Sequence, residues 1–567
     1  MVSWITILGA VVVASSLIGW YIGLAWYWNI LITFLLVASL VGYVLYIGFQ
    51  KVKPKPQKDI PCPPYTHPVL GHPDKMLSPV KHELRLEVCE STKALFHQLV
   101  VMNHASVFIN DAEVAADCIK KFPAKGEIYK VFQLDPSVPD IISSDGKESE
   151  MRRRVLGPCL EFLKLDPAYI SNLIDVLETH ANNKEPLDMA VIFSYAAFDI
   201  MSYALFEYEL GALKGSEEGK CLHTSFRNLV IQQSKVGIYA DTSSPPIPAD
   251  VLKESQLFWK SFTQKMQAKM VTDAEDYLQK KGELNWREKF SHALKQLSTE
   301  EAEYGAKQAT SDIHQIFRHG YECIAGQLSW MFYALAKNAK VRTRLMTEIS
   351  QTPSSGNPSE YLECVVKETL RRFPVAGNTT VRTVTEPGST LAGETAVAVG
   401  IPIHLHIWSL QNTSREWDRP KEFTPERWLV EKEEAIADDS SLKRARFPQC
   451  PFFAGDTDLY NGVGHTIDSL SFMPFSTGSR MCLGKSLVLK VLRQTLQSVC
   501  GKYRLDFAES VWAEDYGLSA NAVIVPSSSK STTMRVFVGV HAAPEDKVDE
   551  GWADDSDEDD VGGSMSK

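Results

Sequence analysis

The sequence predicts a mainly helical body with a small β component, carried behind an N-terminal transmembrane anchor. Three observations support this. The first fifty residues contain no Asp, Glu, Lys or Arg. Long runs rich in Leu, Ala, Lys and Glu, such as Leu328 to Ile349 and Leu483 to Val499, favour helices. Segments such as VAVGIPIHLHIW and TTMRVFVGV read as short strands.

Residues 1–50 are expected to be the anchor, because an uncharged run of that length exceeds the roughly 20 residues one span needs. It divides into apolar blocks at 4–24 and 30–49, separated by AWYWN, whose Trp26, Tyr27, Trp28 and Asn29 suit a turn at the headgroup level. A two-helix hairpin is therefore expected, against one tilted span followed by a buried segment. A cleaved signal peptide would want a charged start and a short apolar stretch.

Residues 51–73 form a basic hinge, whose proline-rich stretch from Lys53 to Pro73, KPKPQKDIPCPPYTHPVLGHP, cannot be helical. Lys51, Lys53, Lys55 and Lys58 place this end in the cytoplasm by the positive-inside rule, and a hairpin puts Met1 there too. The body spans 74–540. Residues 541–567 form an acidic tail, read as a disordered, solvated segment.

The formal charge of −11 is mostly this tail, since residues 545–567 hold ten acids against two lysines. The rest is nearly neutral, so nothing argues for a nucleic-acid partner. Ten cysteines are scattered without a C-x-x-C pair or a dense cluster, which points away from zinc and iron–sulfur sites and suits a reducing compartment.

One cysteine differs by its neighbours. Cys482 lies in FSTGSRMCLG, just before LGKSLVLKVLRQTLQSVC, where Leu487, Val488, Val491 and Leu492 have helical spacing. A thiol at a helix N-terminus is favoured as thiolate. Gly478 and Gly484 permit a tight turn and close approach to a flat ligand. Arg480 can pair with a carboxylate on that ligand, and Phe475 would shield the sulfur.

Phe475, Gly478, Arg480, Cys482 and Gly484 together resemble the haem-ligand signature of the cytochrome P-450 family. The resemblance implies a single large haem domain of the cytochrome P-450 fold, binding haem b (iron protoporphyrin IX) with Cys482 as axial iron ligand. Companion motifs follow the family's order. In KETLRRFP, Glu368 and Arg371 lie three apart on one helix face, and FTPERW resembles the segment whose arginine, here Arg427, completes a structural network with them. Trp417 and Pro420 match the approach to that segment.

Arg382 in TTVRTVTEP falls where the family has an arginine facing a haem propionate. In SSDGKESEMRRRVLGP, Arg153 falls on the family's other propionate-binding arginine, with Arg152 and Arg154 as neighbouring candidates; Ser149 stands where the family has tryptophan.

The stretch HGYECIAGQLSWMFYALAKN resembles the long central helix on the distal face of the haem. The family pattern A-G-x-[DE]-T-T then falls on His319 to Ile324, so that Gly320 and Glu322 agree while Cys323 replaces the threonine that serves proton delivery. A thiol is a weaker donor than a hydroxyl.

The resemblance implies a monooxygenase of the endoplasmic reticulum membrane, with its catalytic body facing the cytoplasm. It would oxidise a lipophilic small molecule with dioxygen and NADPH electrons delivered by cytochrome P-450 reductase, with cytochrome b5 as a further donor. The alternatives are a haem-thiolate isomerase or dehydratase acting on a lipid hydroperoxide without NADPH, and a non-catalytic haem-binding relic. Lys485, Lys490 and Arg493, with Lys443, Arg444 and Arg446, are the candidate basic face for an electron donor.

Overall fold

Helix α1, Trp26–Val52, is apolar almost throughout, and its outward side chains such as Ile30, Phe34 and Leu45 are exposed. The computed structural model describes residues 26–234, 246–279, 306–351, 359–429, 471–508, 517–520, 524–527 and 534–540, less residues 79, 127, 128, 131, 132, 134, 136, 162, 379 and 380, plus residues 13, 14, 17 and 18. Within α1, residues 33–51 are long and apolar enough to cross a membrane by length and composition. Trp26 to Asn29, where the sequence suggests a turn, are helical instead; neither Gly nor Pro interrupts the chain there. The rest of the first apolar block, the acidic tail, and Lys443, Arg444 and Arg446 lie outside the described residues.

From residue 53 to residue 72 the hinge lies outside any helix, and it is docked rather than free. Gln57 N–H donates to Gln98 Oε1 at 2.7 Å, Gln98 Nε2 donates to the Gln57 and Ile60 carbonyls, and His72 N–H donates to the Val100 carbonyl at 2.8 Å. Paired amides and a buried Ile60 fix this segment to the body.

The body follows as α2 (Pro73–Leu77), α3 (Lys81–Thr92), β1 (Phe96–Val101), β2 (His104–Ile109), α4 (Ala112–Lys121), α5 (Gly146–Glu161), α6 (Tyr169–Asn183), β3 (Leu187–Asp188), α7 (Met189–Phe206), α8 (Glu217–Ser234), α9 (Ala249–Gln279) and α10 (Ala306–Lys337). Then come α11 (Ala339–Gln351), α12 (Glu360–Arg372), β4 (Arg382–Thr383), β5 (Thr390–Leu391), β6 (Thr395–Ala396), β7 (Pro402–Leu405), α13 (Ile407–Asn412), α14 (Lys485–Cys500), β8 (Tyr503–Phe507), β9 (Gly517–Ala520), β10 (Ile524–Ser527) and β11 (Arg535–Val540). The chain is mainly helical with small sheets, as the sequence predicts.

The main sheet has the order β1-β2-β7-β4, with β2 and β7 parallel and the other pairs antiparallel; β3-β11-β8 form a second sheet. The run Leu328 to Ile349 is helical, divided between two helices. Asn338 separates α10 from α11, its side-chain amide donating to the Ala334 carbonyl at 2.7 Å and so competing with helix continuation.

Helix α10 runs through the centre, packed on α7, α9, α12 and α14. Gly320 allows the α7 contact, since a Cβ there would stand 2.4 Å from Met201 Sδ. Helix α7 is as apolar as a membrane span but lies mostly within the core.

Candidate functional site

The Cys482 loop is closed on itself by backbone hydrogen bonds. Cys482 N–H donates to the Phe475 carbonyl at 2.8 Å, and Met481 N–H donates to the Gly478 carbonyl at 3.1 Å. Gly478 adopts φ of +64°, the left-handed region that favours glycine. Gly484 has an ordinary φ of −90° and caps α14; a Cβ there would meet Cys482 Sγ at 3.9 Å, a normal contact, so no turn constraint requires glycine at this position. Phe475 packs against the core beside the loop.

Cys482 is exposed, yet burial raises its thiol pKa. Both hold for a side chain on the wall of an internal cavity. The amides of Gly484 and Lys485 and the charges of Arg153 and Lys485 oppose the rise without overcoming it, so the helix N-terminus alone does not make a thiolate here. A bound cation would.

Four cations converge beside this loop. Arg153 on α5 donates to the Met481 carbonyl. Arg480 donates from Nη1 to Ser149 Oγ at 2.7 Å and from Nη2 to Asp145 Oδ1 at 2.6 Å. Asp145 and Ser149, the serine at the tryptophan position, are thus the side-chain acceptors of Arg480. Arg382 on β4 is buried; its Nη1 donates to the Phe122 carbonyl at 2.7 Å, while Nε is buried without a partner among the described residues. Lys125, which carries no sequence signal, donates to the Ile142 and Ser144 carbonyls at 2.6 and 2.7 Å.

These charges work against one another. Burial and then Arg480 lower Lys125 to about 7 and Arg382 to about 10, and the same two causes lower Arg153. Asp145 is the carboxylate in contact with the cluster: burial would raise it, but the Lys125 and Gly146 amides and Arg480 hold it below the usual range. Arg152 points elsewhere, donating to Asp312 Oδ2 on α10 at 2.7 Å, and Arg154 is exposed.

The expected ion-pair network is complete. Glu368 accepts from Arg371 Nε and Nη2 at 2.9 Å each, from Arg427 Nε at 3.1 Å, from the Thr424 amide at 2.9 Å and from Trp428 Nε1 at 2.9 Å. Arg371 also donates to the Gln411, Pro420 and Glu422 carbonyls, tying α12 to the segment that precedes the ligand loop. Burial would raise the Glu368 pKa, but the guanidiniums outweigh it and hold the carboxyl low.

Across the cavity lies α10. From Ala309 to Leu335 its residues are buried except Ile316, His319, Gly320, Glu322, Cys323 and Ala325; Ile316, His319, Gly320 and Cys323 share one face. Burial raises the Cys323 thiol pKa, and Cys482 raises it further. Glu322 accepts from Arg318 Nε at 3.0 Å, one turn earlier.

The cytochrome P-450 family model matches residues 61–528. The chain belongs to the cytochrome P-450 family. Among its relatives are chloroplastic cytochrome P-450 97B2 of Glycine max, 22% identical over 68% of each chain, and cytochrome P-450 3A30 of Fundulus heteroclitus, 22% identical over 70% of this chain and 77% of the other. The steroid 17-alpha-hydroxylase/17,20 lyase of Mesocricetus auratus is 27% identical over 41% of this chain and 43% of that protein. The solved haem domain of cytochrome P450DA superimposes with a TM-score of 0.61 at 15% identity, over 85% of this chain and 97% of that one.

As a cytochrome P-450 the protein is an oxidoreductase of the monooxygenase class with haem b as cofactor. The site fits that group on its own chemistry. A cysteine faces an interior cavity, and four mutually repelling cations with one contacting carboxylate are suited to receive two propionates. The buried Nε of Arg382 lacks an acceptor that a propionate would supply.

The basic face for an electron donor is thinner than the sequence suggests. Lys485 is buried and Arg493 is paired with Glu363 at 2.6 and 3.0 Å, leaving Lys490 exposed among the described members.

Proposed function

We propose that the protein is a membrane-anchored haem-thiolate monooxygenase that inserts one atom of dioxygen into a lipophilic small molecule. The other atom leaves as water, with two electrons from NADPH delivered by cytochrome P-450 reductase or, for one of them, by cytochrome b5. The observation that carries this reading is the Cys482 loop, closed on itself by backbone hydrogen bonds, with the cationic cluster converging beside it. Haem held by a thiolate supplies dioxygen activation, because electron donation from sulfur favours O–O cleavage.

In this reading Cys482 would bind the haem iron through its sulfur, and the Phe475, Gly478 and Gly484 loop holds it in place. Arg382 and Arg153, with Lys125, neutralise the propionates, while Arg480 positions the loop through Asp145 and Ser149. Glu368, Arg371 and Arg427 brace the segment leading to the ligand. Glu322 and Cys323 belong to the distal proton route. Helix α1 anchors the body at the endoplasmic reticulum membrane, where a lipophilic substrate partitions. Residues 1–50, 51–73, 74–540 and 541–567 are anchor, hinge, haem domain and tail.

Cys323 favours one second reading. Rearrangement of a lipid hydroperoxide needs no externally delivered protons, so the missing threonine would matter little. Product formation that requires NADPH, reductase and dioxygen supports the monooxygenase; turnover of a fatty-acid hydroperoxide without NADPH would reassign the protein.

A further inference from the structure

The cavity face of α10 carries a histidine that the expected distal chemistry does not use. His319 lies one helical turn before Cys323, on the same face, and is partly exposed in a segment otherwise mostly buried. Its Nδ1 donates to the Gln315 carbonyl at 3.0 Å. A carbonyl can only accept, so Nδ1 carries the proton and the neutral ring bears its lone pair on Nε2.

That bond also sets direction. With Nδ1 turned back along the helix to the preceding turn, Nε2 on the opposite edge of the ring faces away from the backbone. Among the described residues no hydrogen bond reaches Nε2.

This is how ligating histidines are held: one nitrogen is anchored to a carbonyl, which fixes the tautomer and strengthens the other as a donor to metal. Helix α10 packs on α14, which begins three residues after Cys482. In the haem-thiolate reading, the partly exposed face that carries His319 is the one opposed to the sulfur.

We propose that His319 Nε2 is the sixth ligand of the haem iron in the ferric resting state, so that the substrate-free protein has imidazole–thiolate rather than water–thiolate coordination. The proposal rests on the haem-thiolate reading of Cys482. It gives the protein a gate: in the ferric state a water molecule would exchange for the neutral imidazole with no electron or proton consumed, and dioxygen would bind only after His319 has left and one electron from the donor has reduced the iron.

The test uses the full-length, haem-loaded protein and reads spectra rather than turnover. In the unmodified ferric protein, the absorption and electron paramagnetic resonance spectra should already be those of a nitrogen–thiolate complex and should barely change on adding imidazole. His319→Ala and His319→Gln should shift the Soret band towards that of a water-ligated form. They should also bind imidazole about tenfold more tightly, the factor expected when ~90% of the ferric protein holds the internal ligand.

A water-type spectrum in the unmodified protein, converted by imidazole with the same Kd as the variants, overturns the proposal. If neither variant loads haem, the titration of the unmodified protein still decides it. The carbon monoxide spectrum of the reduced protein separates the two claims: a thiolate-type band with a water-ligated ferric state refutes the His319 ligand alone, whereas loss of that band refutes Cys482.

Discussion

Glu368→Gln tests the brace behind the ligand loop. The change keeps the side-chain shape but removes the charge and replaces one acceptor oxygen with an NH2 group. In the structure each carboxylate oxygen faces donors only: Arg371, Arg427 and the Thr424 amide at Oε1, Arg371 and the Trp428 indole at Oε2. An amide nitrogen at either position meets a donor, and two guanidiniums lose their shared counter-charge. Arg371 is fully buried, so water cannot replace the loss there. Breaking a buried pair by removing one partner costs about 3–5 kcal/mol. Against a typical total of about 5–15 kcal/mol, that is enough to lower haem retention. Urea unfolding followed by circular dichroism, with haem content measured in parallel, reads the effect. Glu178→Gln, which removes an exposed pair with Lys502, is the control and should leave the midpoint unchanged. A Glu368→Gln protein within about 1 kcal/mol of the parent and with full haem would refute the claim that this network braces the site.

Acid should destabilise the fold through its buried histidines. His97, His314 and His404 are lowered by burial, and further by nearby Arg85 or Arg318, to about 3. Their folded values lie below that of an unfolded histidine, so the stability they contribute is complete above about pH 6.5 and drains as pH falls towards about 3, each having cost about 2 kcal/mol by pH 5. Equal urea midpoints at pH 7 and pH 5 would count against their burial in neutral form. Arg382→Leu removes a cation whose Nε awaits an acceptor, and haem transfer to an excess of apomyoglobin should quicken by about tenfold or more, as expected for a lost charge-assisted bond. An unchanged rate would place the propionates elsewhere. Cys323→Thr should raise the fraction of NADPH electrons recovered in product, because a hydroxyl donates better than a thiol; unchanged coupling would mean that protons arrive by another route.

Much of the site is legible in the sequence because its constraints are local. The ligand loop needs a left-handed residue at Gly478 and a helix start after Cys482, both written within ten residues. Glu368 and Arg371 are one turn apart, and helix geometry alone brings them together. Pairings that join distant segments are not written this way. Nothing in FPAKGE marks Lys125 as a member of a cationic cluster, because its acceptors are carbonyls of residues 142 and 144 brought in by the tertiary fold. Ser149 looks like a missing tryptophan in sequence, whereas the structure shows what uses it: Arg480, turned onto Ser149 and Asp145. Arg152 and Arg153 are indistinguishable by composition, and only the packing of α5 on α10 sends one to Asp312 and leaves the other for the loop. At the anchor, composition identifies the apolar run but not the conformation of residues 26–29, since Trp, Tyr and Asn serve a turn or a helix equally well; in the structure they are helical.

The central claim, haem held by the Cys482 thiolate, is tested most directly by the carbon monoxide difference spectrum of the reduced, purified protein. The account predicts the strongly red-shifted Soret band of a thiolate-ligated ferrous complex, lost in Cys482→Ala. A band typical of histidine ligation, unchanged by that substitution, would contradict it.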